Sequence, residues 1–140
     1  MKRLIPAFVA SLAFTSMVSP VSAAAPGATE INGQKVLTMV VREPPGMRCN
    51  NNILVAAEMA NLYKMSVLVV PASLAPNSKA PAVYWGDQSV AEDGGEFNGM
   101  VSRVQLEDIL EIDGVPKYDK QGLLLQKNEF EGLKSAVKGE

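Results

Sequence analysis

The chain contains no histidine, and that absence removes more chemistry than any other feature. It takes away the usual imidazole base and the commonest transition-metal ligand. Ser-His-Asp and Cys-His mechanisms are excluded with it. Cysteine is nearly absent too: Cys49 stands alone, so no disulfide can form within the chain. An odd thiol in an exported protein is buried, paired with another molecule, or used. Positive charge is sparse, with 13 Lys and Arg against 15 Asp and Glu and a formal net charge of −2. A mildly acidic chain with scattered charge does not bind nucleic acid by the usual electrostatic route. Beyond the N-terminus no apolar run approaches the roughly 20 residues needed to cross a bilayer.

What is present begins with a secretory pattern. Lys2 and Arg3 precede an apolar stretch from Leu4 to Val18, Pro20 breaks it, and Val21-Ser22-Ala23 offers small residues for a signal peptidase. Residues 1–23 are therefore expected to be a signal peptide, and the product to be periplasmic or secreted and not membrane-spanning. Cleavage removes both of those cations and takes the formal charge from −2 to −4. The remaining 117 residues suffice for one domain around one core.

Residues 24–35 read as a flexible lead-in. Val36 to Val41 is almost wholly apolar and β-branched, the signature of a strand buried on both faces. Pro44-Pro45-Gly46 ends it. After Cys49, any of Asn50, Asn51 and Asn52 can cap a helix over Ile53 to Met65, with Val55, Ala56, Met59, Leu62 and Tyr63 on its inner stripe. Val67 to Val70 reads as a second buried strand. The strand–helix–strand spacing makes the two strands parallel. Pro81 opens a third strand, Ala82 to Trp85, and Gly86-Asp87 turns it into Gln88 to Ala91. Ser102 and Gln105 form a capping box for a helix carrying Leu106, Ile109 and Leu110, which Gly114 ends. Residues 117–140 read as a C-terminal extension, with Phe130, Leu133 and Val137 on one side of a terminal helix.

From Val36 to about Val115, this order of elements resembles the thioredoxin and glutaredoxin superfamily. The residues that carry the likeness are Cys49 at a helix start, Ala80-Pro81-Ala82-Val83-Tyr84, Gly86 and Gly94. The resemblance implies an α/β domain over 36–116, with a four-stranded mixed sheet flanked by helices. It also implies a cis proline at Pro81 beside the active cysteine. The superfamily's redox motif is Cys-X-X-Cys, and only one cysteine is here. With Cys49 as the first member, Asn52 takes the second place; with Cys49 as the second, Gly46 takes the first. The spacing from the preceding strand favours the latter.

On this reading Cys49 is the candidate nucleophile. A helix N-terminus and Arg48 supply the positive environment that favours thiolate. A lone thiol cannot resolve a mixed disulfide by itself, so it needs glutathione or another small thiol, or a protein partner. The expected function is thus that of an exported monothiol protein engaging disulfide- or sulfur-bearing partners. Gly46, Met47, Ala80, Pro81 and Trp85 would form the partner groove, and Cys49 could link two chains as a disulfide. Two alternatives stand beside it. One is a catalytically inactive binding or assembly module. The other is a Cu(I) site built from the Cys49 thiolate and the Met47 thioether.

Overall fold

The computed structural model describes residues 23–122. The expected signal peptide, apart from Ala23, and the terminal helix of the extension lie outside the described residues. Five strands and two helices make a mixed α/β unit. They are β1 (Glu30–Ile31), β2 (Gln34–Val41), α1 (Met47–Ala60), β3 (Ser66–Pro71), β4 (Ala82–Trp85), β5 (Gln88–Glu92) and α2 (Arg103–Ile112).

β2 is the hub. It runs parallel to β3, with Leu37 beside Val67 and Met39 beside Val69, and antiparallel to β4, with Leu37 opposite Trp85 and Val40 opposite Ala82. β5 lies antiparallel outside β4, with a bulge between Val83 and Tyr84. The strand order is therefore β3-β2-β4-β5. Val36 to Val41 are buried throughout, as their unbroken apolar run requires.

The fifth strand corrects the expected count of four. Residues 30–35 are not a loose lead-in: β1 folds back on Gln34 and Lys35 through Asn32-Gly33. Both turn residues have positive φ, 50° and 78°. That is the geometry an Asn-Gly pair adopts in a two-residue hairpin.

Both helices lie on one face, which corrects the picture of a sheet with helices on either side. Val55, Ala56 and Met59 of α1 and Leu106 and Leu110 of α2 enclose Leu37, Met39, Val83 and Trp85 in one core. The opposite face has a thinner cover. Among the described residues, Val40, Ala82 and Tyr84 pack there against Ala25, Ala72, Ala75 and Ala80. A 3-10 turn at Ala72–Leu74 is the only helical piece on the long connection from β3 to β4. Thr38 is fully buried in the middle of β2, and its Oγ1 has no hydrogen-bond partner among the described residues.

α1 starts and ends earlier than the apolar pattern suggests. Its N-cap is Gly46, with no side-chain cap, and Asn61 closes it. Tyr63 is buried all the same, from the turn beyond the helix, where its hydroxyl donates to Glu111. α2 follows expectation: Ser102 Oγ accepts from the Gln105 N–H at 3.1 Å, and Gly114 leaves the helix with φ of 66°. β3 does not. Val67 and Val69 remain 38% and 44% exposed, so it is an edge strand rather than a second fully buried one.

The start of the extension is anchored. Tyr118 N–H donates to the Leu62 carbonyl and Gly122 N–H to that of Asn61, tying residues 117–122 to the end of α1.

Candidate functional site

The end of β2 delivers the chain to a site with three walls: the start of α1, the Ala80–Pro81 segment and the glycine-rich loop after β5. Cys49 is in the first turn of α1 and is 1% exposed. Its Sγ accepts the Arg42 backbone N–H at 3.3 Å. The Arg42 side chain continues from there to the second wall, donating from Nε to the Ala80 carbonyl at 3.0 Å. One residue thus connects the sulfur to the X-Pro segment, and the sequence-expected neighbours are brought to the same end of the sheet. The Ala80–Pro81 bond is cis, as is Glu43–Pro44.

The third wall is fixed by charge. Asp93 receives Arg42 Nη2 on Oδ2 and Arg48 Nη1 on Oδ1, each at 2.5 Å. Arg48 also donates to the Asn98 carbonyl at 2.6 Å. Hydrogen bonding from Arg48 first, and then from Arg42, holds the Asp93 carboxyl below its ordinary value. The hydrogen bonds of Arg48 therefore go to the loop, whereas the sulfur receives its N–H from Arg42.

Two residues missed by sequence reasoning hold the loop in place. Asn52, 1% exposed, donates to the Gly99 carbonyl at 2.7 Å and accepts the Val101 N–H at 3.0 Å. It reads in sequence as a possible helix cap, but its amide is spent on cross-linking α1 to the loop. Gly99 is the second. With φ of 75°, a Cβ there would stand 2.2 Å from the Pro81 carbonyl oxygen. Gly94, which carried the resemblance, has open space around it. The glycine that meets the proline is thus five residues further on. A glycine count cannot reveal this, because only the path of the loop decides which one lies against Pro81.

The remaining expected site residues separate. Gly46 and Met47 are exposed at the mouth, Met47 at 90%. Of the residues named for the Cu(I) alternative, the Met47 side chain is exposed and the Cys49 thiol buried, and Met39 is buried in the core. Among the described residues no group of three or more Cys, Asp or Glu side chains could hold a metal ion. Trp85 is not part of the groove. It is 2% exposed at the other end of β4, and its Nε1–H donates to Asp113 at 2.6 Å. Cys49, the expected link of a disulfide-joined dimer, presents almost no sulfur surface at 1% exposure.

An apolar cleft of about 510 Å3 opens beside this end, lined by Asn51, Val55, Phe97, Met100, Val101 and Arg103. Phe97 and Met100 are half exposed. Met47, one helical turn before Asn51 on α1, is exposed outside this lining. A larger cleft of about 610 Å3 lies at the opposite end, with Lys35, Lys64, Trp85 and Asp113 on its walls. There Asp113 is already engaged by Lys35 and Trp85. Among the described residues no helix is long and apolar enough to cross a membrane.

No family model, curated protein or solved structure matches this chain.

Proposed function

We infer that this is an exported, thioredoxin-like binding module that engages an extended segment of a partner protein without redox turnover. The order of elements supports the likeness. Parallel β2 and β3 flank α1, and a proline-led antiparallel hairpin and a second helix follow. The observation that carries the reading is the state of the motif. With Cys49 taken as the second member, as the strand spacing favours, the first place is Gly46, which has no side chain, and the sulfur is 1% exposed and already bonded to Arg42 N–H. A thiol attacks a disulfide only through an accessible sulfur. What remains open is apolar surface at Met47 in the first turn of α1 and at Phe97 and Met100 of the loop whose Gly99 meets Pro81, suited to recognition rather than exchange.

The test uses the protein isolated from its native compartment. Intact mass should show unmodified Cys49, and incubation with oxidised glutathione should add nothing. Cys49→Ser should leave partner binding unchanged, while Met47→Asp and Met100→Asp abolish it. A glutathione adduct formed within minutes, or partner binding lost with Cys49→Ser alone, would restore the monothiol exchange reading.

A further inference from the structure

β3 breaks the usual rules for a sheet edge. Among the described residues it pairs only with β2, so its other side presents unpaired backbone groups. Natural edges are blunted by charge, an early proline or a bulge. Ser66-Val67-Leu68-Val69-Val70-Pro71 has no charged residue, and its only proline comes last. Val67 and Val69, two residues apart and therefore on one face, are 38% and 44% exposed. Their parallel neighbours Leu37 and Met39 belong to the core beneath α1 and α2, so the two valines extend that core to the edge of the sheet.

We propose that this edge pairs antiparallel with β3 of a second copy of the chain, joining two sheets into one across a twofold axis. A twofold perpendicular to the sheet keeps each face with its like, so paired residue numbers must sum to an even value. With the axis at Leu68, Val67 stands opposite Val69 of the partner subunit, and Val69 opposite Val67 of the partner subunit. Both exposed valines then gain an apolar cross-strand neighbour.

Charge selects this occupant and this direction. At the start of the strand Lys64 is exposed, with its Nζ over the Tyr118 ring, and belongs to no ion pair among the described residues. At the far end the Glu43 carboxylate accepts from the Ser73 N–H at 2.7 Å and from its hydroxyl at 3.0 Å, likewise outside any ion pair. In the Leu68 register, Lys64 stands opposite Ala72 of the partner subunit, next to the serine that holds Glu43 of the partner subunit. The twofold repeats this opposition of charge at both ends. A parallel alignment would set like charges together.

Sedimentation velocity on the full exported chain at about 10–100 μM tests the proposal. The wild type should sediment as a dimer. Val69→Lys, at an already exposed position, should raise the dissociation constant at least about tenfold with an unchanged circular dichroism spectrum. Lys64→Glu should weaken the dimer, and salt should weaken the wild type. In a Cys49→Ser background, Leu68→Cys should cross-link two copies on oxidation because residue 68 faces itself, and Val70→Cys should not. A monomeric wild type, a dimer indifferent to Val69→Lys, or no cross-link through position 68 would overturn it. The first of these would hand the edge to another segment of this chain or to a different protein.

Discussion

At the scale of single residues, Gly99, Gly94, Thr38 and Asp93 each make a separable statement about stability or its pH dependence. Gly99 and Gly94 both have positive φ, 75° and 82°, but only Gly99 lies against another segment. Gly94→Ala should cost about 1 kcal/mol, the penalty of a left-handed conformation alone. Gly99→Ala adds a collision with the Pro81 backbone and should cost about 2–4 kcal/mol in chemical denaturation. Equal losses at the two positions would show that the loop does not press on the proline. Thr38 gives the opposite sign. Its hydroxyl is buried without a partner among the described residues, so Thr38→Val should stabilise the fold by about 1 kcal/mol, read as a raised denaturation midpoint. Asp93 adds a pH dependence. Hydrogen-bonded by Arg48 and Arg42, its carboxyl titrates below the ordinary 3.8 in the folded chain. Its contribution is therefore present above the unfolded value and lost as pH falls through the folded one. The carboxyl carbon resonance of Asp93 should titrate below 3.8, with the Asn98 signals following as the Arg48 bridge opens; a midpoint at 3.8 or higher would remove the two-arginine clamp from the argument.

Among the elements, α1 is the member that couples site to scaffold. Its inner stripe packs on the sheet while its first turns carry Cys49, Asn51 and Asn52. Asn51 Nδ2 donates to the Val101 carbonyl, and Asn52 spans Gly99 and Val101. Asn52→Ala leaves a buried carbonyl and a buried N–H without partners and should cost about 2 kcal/mol. It should also speed hydrogen exchange at Val101 far more than in β2. Uniform loss of protection across the sheet would instead make Asn52 a general core residue. Much at this scale was legible in the chain. The buried run of β2, the parallel β3, the hairpin at Gly86-Asp87 and the Ser102 cap are all local signals that the structure obeys. What was not legible depended on neighbours. Asn50 to Asn52 read as caps because local preference is all a sequence shows, and the loop that claims Asn52 arrives from 47 residues away. Val67 and Val69 read as core because composition cannot tell a central strand from an uncapped edge. The Asn32-Gly33 hairpin is a different case, since its turn chemistry stands in the sequence.

At the level of the whole molecule, the burial of Cys49 follows from where the sheet stops. β2 ends at Val41, and the Arg42 N–H, which has no further strand to bond, turns to the sulfur entering from the first turn of α1. Above that contact the Arg42 side chain runs to Ala80 and Asp93. The thiol is thus held where the end of β2 meets the first turn of α1, at an exposure of 1%. Its reactivity should then report the opening of the domain rather than of the site. For a domain of ordinary stability, at least about 5 kcal/mol, alkylation of native Cys49 should be more than about a thousandfold slower than in the denatured chain. Its logarithm should fall in step with the global unfolding free energy as denaturant is lowered. Asp93→Asn, which loosens only the clamp, should change this protection little, whereas Asn52→Ala should reduce it in proportion to its cost in stability. A thiol that alkylates at the same fast rate with and without denaturant would mean that Arg42 does not cover it in solution, and the binding-module reading would lose the observation that carries it.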